Sequence, residues 1–163
     1  DGNATDALDL TLQRTNLSGA SSSTHGFCAG GGSAPTAAVT VDKFSFANDN
    51  DAVDHGDLFG GGLGDTSSGN SSTTHGYATG ATSSNGIYQY AFASNTIGAD
   101  YGDLTASRGL GTGTSSTTHG YISGGSPSGS VNIIEKFSFA SSANATDVGD
   151  LVQAFHSAAS SQI

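Results

Sequence analysis

Three histidines with the same neighbours are the residues of this chain whose type and spacing could best do chemistry. His25, His75 and His119 each follow a run of Ser and Thr, each precedes a Gly and an aromatic residue, and their spacings are 50 and 44 residues. Equivalent imidazoles could line one face or a channel and bind a sugar or a metal ion. Alternatively, each His opens a strand and its ring nitrogen bonds the backbone. The repetition favours this structural interpretation, because every copy of a repeat needs the same strand entry.

A zinc site is the weaker form of the ligand hypothesis, because it needs three ligands at about 2 Å from the ion. Equivalent residues of separate repeats need not converge so closely. The aromatic residues after His-Gly are Phe27, Tyr77 and Tyr121. They could stack on sugar rings if they are exposed, but a position in a short central strand favours a place in the core.

A second set of candidate ligands is an aspartate pair that recurs as "DHGDL", "DYGDL" and "DVGDL", with an earlier copy, "DALDL", that lacks the Gly. Paired carboxylates could chelate Ca²⁺, but the spacing matches no EF-hand loop and the bidentate Glu is missing. Carboxylates that accept backbone N–H bonds at a turn explain the phrase equally well. We expect no cofactor, and Ca²⁺ is the one ion the pattern suggests. The weak metal candidates are Asp54, Asp57, Asp100, Asp103, Asp147 and Asp150.

Catalytic motifs are missing from the sequence. It contains no G-x-S-x-G nucleophile elbow, and its Gly-rich stretches "GGGSAP" and "FGGGLGD" carry no P-loop Lys. A glycosidase needs two carboxylates at a defined separation, for which only Glu135 and the repeated aspartates are available. We therefore expect no enzymatic activity and no catalytic residues.

Composition narrows the classes of partner. The chain has 163 residues with a formal net charge of −10, and such a surface repels nucleic-acid phosphates and anionic lipid. No apolar run approaches the roughly 20 residues that span a bilayer, so neither nucleic-acid binding nor membrane insertion is expected. A single Cys at position 28 excludes an intrachain disulfide framework.

Recurring markers predict the fold class. An aromatic pair recurs at spacings of 46 and 47 residues, and the aspartate phrase at 48, 46 and 47. The period of about 47 residues lies in the range of propeller blades. Short alternating runs such as "TVDKFSFA", "IYQYAFA" and "IIEKFSFA" predict strands with apolar residues on both faces, as in sheets that pack on a neighbour at each side. A β-solenoid is the competing architecture.

The prediction is therefore an all-β chain of about three and a half repeats in one domain, 1–163. Its approximate units are 1–50, 51–96, 97–143 and a partial unit, 144–163. Because propellers close with about 4–8 blades, we expect the ring to be completed by further chain or by further copies.

The phrases "GNATDALDLTLQR", "SSSTHGF" and "ANATDVGDL" resemble the repeats of kelch-like β-propeller proteins encoded by marine phages, especially those that infect cyanobacteria. The resemblance covers essentially the whole chain. Three departures are the His at positions 25, 75 and 119, where Arg is usual, the lack of the kelch Trp, and "TGA" at residues 79–81 in place of Gly-Gly. The resemblance implies a structural or surface protein of the virion, such as a tail, fibre or capsid-surface component.

The functional expectation is a non-enzymatic, extracellular or virion-borne module that presents loops 30–37, 59–72 and 124–130 for contact. The partner would be a host-surface glycan, another virion protein or another copy of the chain. Two alternatives stay open: a self-associating decoration or assembly protein, and a secreted, lectin-like propeller that binds carbohydrate.

Overall fold

The fold is built from β-strands alone. The computed structural model describes residues 4, 6–32, 39–60, 68–81 and 83–157, and these form three four-stranded antiparallel sheets without a helix. The all-β prediction is confirmed. Within the same residues, no helix is long and apolar enough to cross a membrane.

Each sheet is a simple meander in which strands consecutive in the chain are also neighbours in the sheet. Sheet 1 contains β1–β4, sheet 2 contains β5–β8 and sheet 3 contains β9–β12. The strands are β1 Ser18–Ser21, β2 His25–Ala29, β3 Thr40–Ser45, β4 Val53–Asp57, β5 Ser68–Ser71, β6 His75–Ala81, β7 Ser84–Ala91, β8 Ala99–Asp103, β9 Thr112–Ser115, β10 His119–Ser123, β11 Val131–Ser138 and β12 Thr146–Phe155.

The aspartate phrase forms the fourth strand of each sheet, whereas the sequence predicts a turn that leads into an outer strand. In each sheet the pairing of the third and fourth strands contains a register shift. The central glycines of the phrase, Gly56, Gly102 and Gly149, have φ angles of 113°, 155° and 154°. A bulge with a left-handed residue favours Gly, which explains why Gly stands between the two aspartates.

The sheet bounds are offset from the predicted units. The predicted units run from one aspartate phrase to the next, whereas each sheet begins at a Ser-rich strand and ends with the phrase. The phrase that opens a predicted unit is thus the last strand of the preceding sheet. The first copy, at Asp6 and Asp9, lies ahead of β1 and belongs to no sheet of this chain.

Two apolar cores lie between the sheets. Phe27, Val41 and Leu58 of sheet 1 pack against Tyr90 and Phe92 of sheet 2. The second core joins sheets 2 and 3 through Tyr77, Ile87, Tyr101, Leu104, Ile122 and Phe137. Sheet 2 therefore buries apolar side chains on both faces, which confirms the two-sided pattern read from the strand sequences.

Neighbouring sheets approach most closely at their first strands. A Cβ atom built on Gly69 would lie 1.9 Å from the carbonyl oxygen of Gly19, and one built on Gly113 would lie 2.3 Å from that of Gly69. No side chain fits into such a gap. The equivalent position in sheet 1, Gly19, has nothing within 4 Å of its Cβ direction, because none of the other described sheets packs on that side.

This difference between equivalent glycines yields a stability prediction. Gly69→Ala places a methyl group against backbone, so we expect it to lower the free energy of unfolding by about 1–3 kcal/mol. The matched control is Gly19→Ala, which has open space and should change stability by less than about 1 kcal/mol. Urea denaturation of dilute protein measures both. Equal losses in the two variants would contradict the close packing of the first strands.

Candidate functional site

The repeated Ser/Thr-His phrase forms the hairpin between the first and second strands of every sheet. In sheet 1 the Oγ of Ser22 accepts a hydrogen bond from the N–H of His25 at 3.0 Å, and Thr24 Oγ1 lies 2.8 Å from His25 Nδ1. Both contacts recur within 0.1 Å in the hairpins of His75 and His119. The phrase is thus a turn whose hydroxyl groups hold the backbone and orient the imidazole ring.

The three histidines open β2, β6 and β10, as the structural interpretation expects for their position. The ring contact differs from that interpretation, because each Nδ1 meets the hydroxyl of the preceding Thr and not a backbone group. Burial lowers the pKa of His75, and burial together with Lys43 and His55 lowers the pKa of His25. These two rings are therefore neutral at pH 7. A role for the three rings as ligands stays a prediction.

The ends of the three hairpins surround a hollow of about 600 Å³ that is open to solvent on one side. Its lining consists of hydroxyl side chains alone, three from each sheet, and we call it the hydroxyl hollow. Its residues are Ser21, Ser22, Ser23, Ser71, Ser72, Thr73, Ser115, Ser116 and Thr117. The lining is uncharged although the chain carries a formal charge of −10.

Hydroxyl groups also join the sheets at this end. The Oγ of Ser71 accepts a hydrogen bond from the N–H of Ser21 at 3.0 Å, and the Oγ of Ser115 accepts one from the N–H of Ser71 at 3.1 Å. Asn70 adds a bond of 2.6 Å from its Nδ2 to the carbonyl oxygen of Thr114. These bonds fix the three hairpins relative to one another. Sequence analysis missed Asn70, since its counterparts in the other repeats are Ala20 and Thr114 and no repeated signal marks it.

The aromatic residues after His-Gly lie at the sheet interfaces. Phe27 and Tyr77 are buried and stack on an aromatic residue of the next sheet, Phe92 at 4.5 Å and Phe139 at 4.8 Å between ring centroids. Neither ring is accessible to a sugar, as the core interpretation expects. Tyr121 of sheet 3 is half-buried.

The residue that directly follows the first aspartate of the phrase also contacts the next sheet. Tyr101 donates a hydrogen bond of 3.0 Å from its hydroxyl to the carbonyl oxygen of Ser138. Burial, with Tyr77 beside it, raises the pKa of Tyr101 to about 12, so the hydroxyl stays protonated and can donate. In sheet 1, His55 Nε2 lies 2.9 Å from the carbonyl oxygen of Ala91.

Two of the six candidate metal ligands bond the backbone of their own strands. The carboxylate of Asp54 accepts the N–H of Gly56 at 2.8 Å, and that of Asp147 accepts the N–H of Gly149 at 3.1 Å. Across the described part of the chain, no three His, Cys, Asp or Glu side chains converge on a point that could hold a metal ion. The observed role of these two carboxylates is to hold the bulge. Ca²⁺ binding stays untested.

Two buried ion pairs escaped the sequence analysis. Arg14 Nη2 lies 2.8 Å from Asp42 Oδ2 in sheet 1, and Arg108 pairs with Glu135 in sheet 3. Burial lowers the pKa of the Arg108 guanidinium although Glu135 opposes the shift. In sheet 2 the acid is replaced by Tyr88. An Arg and an acid thus occur together in the repeats of sheets 1 and 3. This joint occurrence is the signal that could have revealed the ion pairs.

The one thiol is not poised for nucleophilic chemistry. Burial is the main effect that raises the pKa of Cys28, and Asp42 adds to it while Arg14 opposes it. The thiol is therefore protonated at neutral pH, and a thiolate is the reactive form. Glu135, a carboxylate that a glycosidase would need, is fully buried and paired with Arg108.

Comparisons with known proteins give no indication of this protein's function. No family model matches the chain, and no curated protein matches it.

The Arg108–Glu135 pair can be tested by removing one charge and then both. Arg108→Met leaves a buried, unpaired carboxylate and should lower the free energy of unfolding by about 3–5 kcal/mol. Adding Glu135→Gln removes that charge and keeps an oxygen for the N–H of Thr105, which now bonds Glu135 Oε1. Urea denaturation should show the double variant recovering more than half of the loss. A double variant as unstable as Arg108→Met would count against the ion pair as the cause.

Proposed function

We propose that the chain is a non-enzymatic module of the kelch-like β-propeller class, carried on the surface of a virus particle, that contacts host-surface glycans through its hairpin end. The virion location rests on the resemblance of the repeats to those of marine phage proteins. The propeller class is supported by the four-stranded meanders that stack through their first strands. Glycan contact is supported by the hydroxyl hollow.

The hydroxyl hollow carries the proposal. A hollow of about 600 Å³ falls within the range of roughly 300–1,000 Å³ typical of small-ligand sites. Ser and Thr hydroxyls both donate and accept hydrogen bonds, which matches the hydroxyl groups of a neutral sugar. Five of the nine lining hydroxyls already bond the backbone of the hairpins or of a neighbouring sheet, so a sugar would bond mainly to the other four, which belong to Ser21, Ser23, Thr73 and Thr117. Three sheets contribute to the lining, so a ligand there would touch all of them.

The surroundings of the hollow are suited to hold it in shape. The serine hydroxyls that bridge β1, β5 and β9 fix the spacing of the hairpins. The aromatic cores between the sheets lie behind them. A preformed site loses less entropy when a ligand binds, and this raises affinity.

The opposite end of the sheets is the competing contact surface. Loop 124–130 joins β10 to β11 there, and its residues Pro127–Ser130 are exposed. Of the other two predicted loops, residues 33–37 and 61–67 lie outside the described residues. Residues 68–71 of the second were wrongly predicted as loop, because they form strand β5. A second virion protein is the partner that such variable loops would suit.

A carbohydrate array probed with the intact protein tests the proposal, with matched variants at the two ends. Thr73→Glu with Thr117→Glu places two charges at the exposed tips of hairpins that line the hollow. Ser128→Glu places a charge on the opposite loop. We expect the hairpin variant to lose at least tenfold in binding to neutral glycans and Ser128→Glu to bind like the unchanged protein.

The possible outcomes separate the hypotheses. Loss of binding in Ser128→Glu alone would move the contact to the opposite end. Silence of the unchanged protein across host polysaccharides would overturn glycan contact and favour a protein partner. Circular dichroism of each variant checks that the sheets are intact.

A further inference from the structure

One pattern of contacts joins sheet 1 to sheet 2 and then recurs between sheets 2 and 3. In each case the aromatic residue that follows His-Gly stacks on an aromatic residue of the next sheet. This partner is the second member of the aromatic pair at the end of that sheet's third strand. The stacked pairs are Phe27 with Phe92 and Tyr77 with Phe139. A contact made twice with the same geometry defines an interface between any two successive sheets of this repeat.

The two ends of the row each carry one half of this interface. Tyr121 of sheet 3 is the third residue of the first kind, and it is only half-buried. Phe46 of sheet 1 is the counterpart of Phe92 and Phe139, and it is 56% exposed, whereas Phe92 is 8% exposed. Val148, the counterpart of His55 and Tyr101, is 47% exposed.

The glycines of the aspartate phrase show the same difference between covered and open sheet faces. A Cβ built on Gly102 would lie 2.4 Å from the carbonyl oxygen of Ala143 in the next sheet, and one on Gly56 would lie 3.1 Å from that of Asn95. Gly149, the third of this set, has nothing within 4 Å. Gly19 is open in the opposite direction, toward the place of a preceding sheet.

We name these surfaces by their residues. The front face belongs to sheet 1 and includes Gly19 and Phe46, with Phe44 beside Phe46. The rear face belongs to sheet 3 and includes Tyr121, Val148 and Gly149. Each face carries one half of the contact pattern that joins successive sheets, and the other face carries the complementary half.

We propose that the rear face of one copy of this chain docks on the front face of a second copy, head to tail, and that two copies close a ring of six sheets. A second copy is the occupant that fits, since it offers the complementary half of a contact the chain already makes twice. Six sheets lie within the range of about 4–8 at which propellers close. Head-to-tail contacts give a closed assembly only when the rotation between subunits completes a ring.

The first aspartate phrase must yield its place when the copies dock. The carbonyl oxygens of Asp57 and Asp103 accept hydrogen bonds from Gly98 and Ala145 of the next sheet. At the front face, the carbonyl oxygen of Asp9 takes the same position and accepts the N–H of Ala52 at 2.9 Å. Asp150 of a second copy would take over that bond.

Asp9 and Leu10 make few contacts and can be exchanged, whereas Thr11, which donates both its N–H and its hydroxyl to Asp42, would stay in place. Besides the bond from Ala52, Asp9 donates its N–H to Asp51 Oδ1 at 3.1 Å. Leu10 is only half-buried, whereas its counterparts Leu58 and Leu104 are 3% and 2% exposed. The exchange replaces each lost bond with one of the same kind.

Variants that block one face at a time test the proposal. Phe46→Asp blocks the front face, Val148→Asp blocks the rear face, and Ile97→Asp is the matched control, because Ile97 is 71% exposed and lies on neither face. Analytical ultracentrifugation of the full chain should give twice the 16.0 kDa monomer mass for the unchanged protein and for Ile97→Asp. Each face variant alone should be monomeric.

The mixture of the two face variants decides the direction of docking. The front face of Val148→Asp and the rear face of Phe46→Asp are both intact, so the mixture should form a one-to-one dimer through that single junction. The two introduced carboxylates meet at the other junction and keep the ring open. A symmetric front-to-front dimer would instead survive Val148→Asp, and this result would overturn the proposal. An unchanged protein that stays monomeric throughout the micromolar range would also overturn it.

Gly19→Ala provides a second variant that does not add charge. Its methyl group meets nothing within the chain, but it would meet backbone of a docked copy as Gly69 meets Gly19. We expect a monomer whose free energy of unfolding equals that of the unchanged protein when both are dilute enough to be monomeric. Because mass is the readout, failure of glycan binding and failure of docking are separate results.

Discussion

The close approach of the first strands is the constraint on which the rest of the structure depends. Only Gly can stand where the backbone of Gly69 faces that of Gly19, and where Gly113 faces Gly69. This approach brings the hydroxyl of Ser71 within reach of the N–H of Ser21 and sets the sheets close enough for the aromatic rings to stack. A sheet whose apolar side chains point both ways must cover both faces, because exposed apolar surface favours association. The glycines allow successive sheets to provide that cover.

The repeated elements could be predicted from the sequence because each rests on local rules. The alternating runs fix which residues of β3, β7 and β11 share a face, and the Ser/Thr-His phrase carries its own turn chemistry. The aspartate phrase was harder to interpret. Its Asp and Gly residues are turn formers by propensity, yet they form a bulged fourth strand because the third strand offers a partner along its length. Pairing between strands outweighed local preference at this point.

Contacts that do not recur in every repeat give a weaker signal to a search based on repetition. Asn70 bonds Thr114, 44 residues away, and has no counterpart of its type in the other sheets. Arg14 and Asp42 stand 28 residues apart, and sheet 2 has Tyr88 in place of the acid. Equal residue types also have unequal surroundings: Leu10, Leu58 and Leu104 close the same phrase, but only the last two are buried. The residue types of a repeat determine its backbone structure, whereas its position among the three sheets determines which of its side chains are buried.

The positions of the charged side chains affect which partners the protein can bind. The two ion pairs lie buried inside sheets 1 and 3, where they hold the segments that lead into β1 and β9. The hydroxyl hollow carries no charged side chain. Binding there would depend on neutral hydrogen bonds, which salt screens far less than charge pairs. The net charge of −10 instead opposes the approach of any acidic surface, including another copy. The proposed association of copies would therefore rely on the apolar and backbone contacts of the two end faces, and added salt would strengthen it.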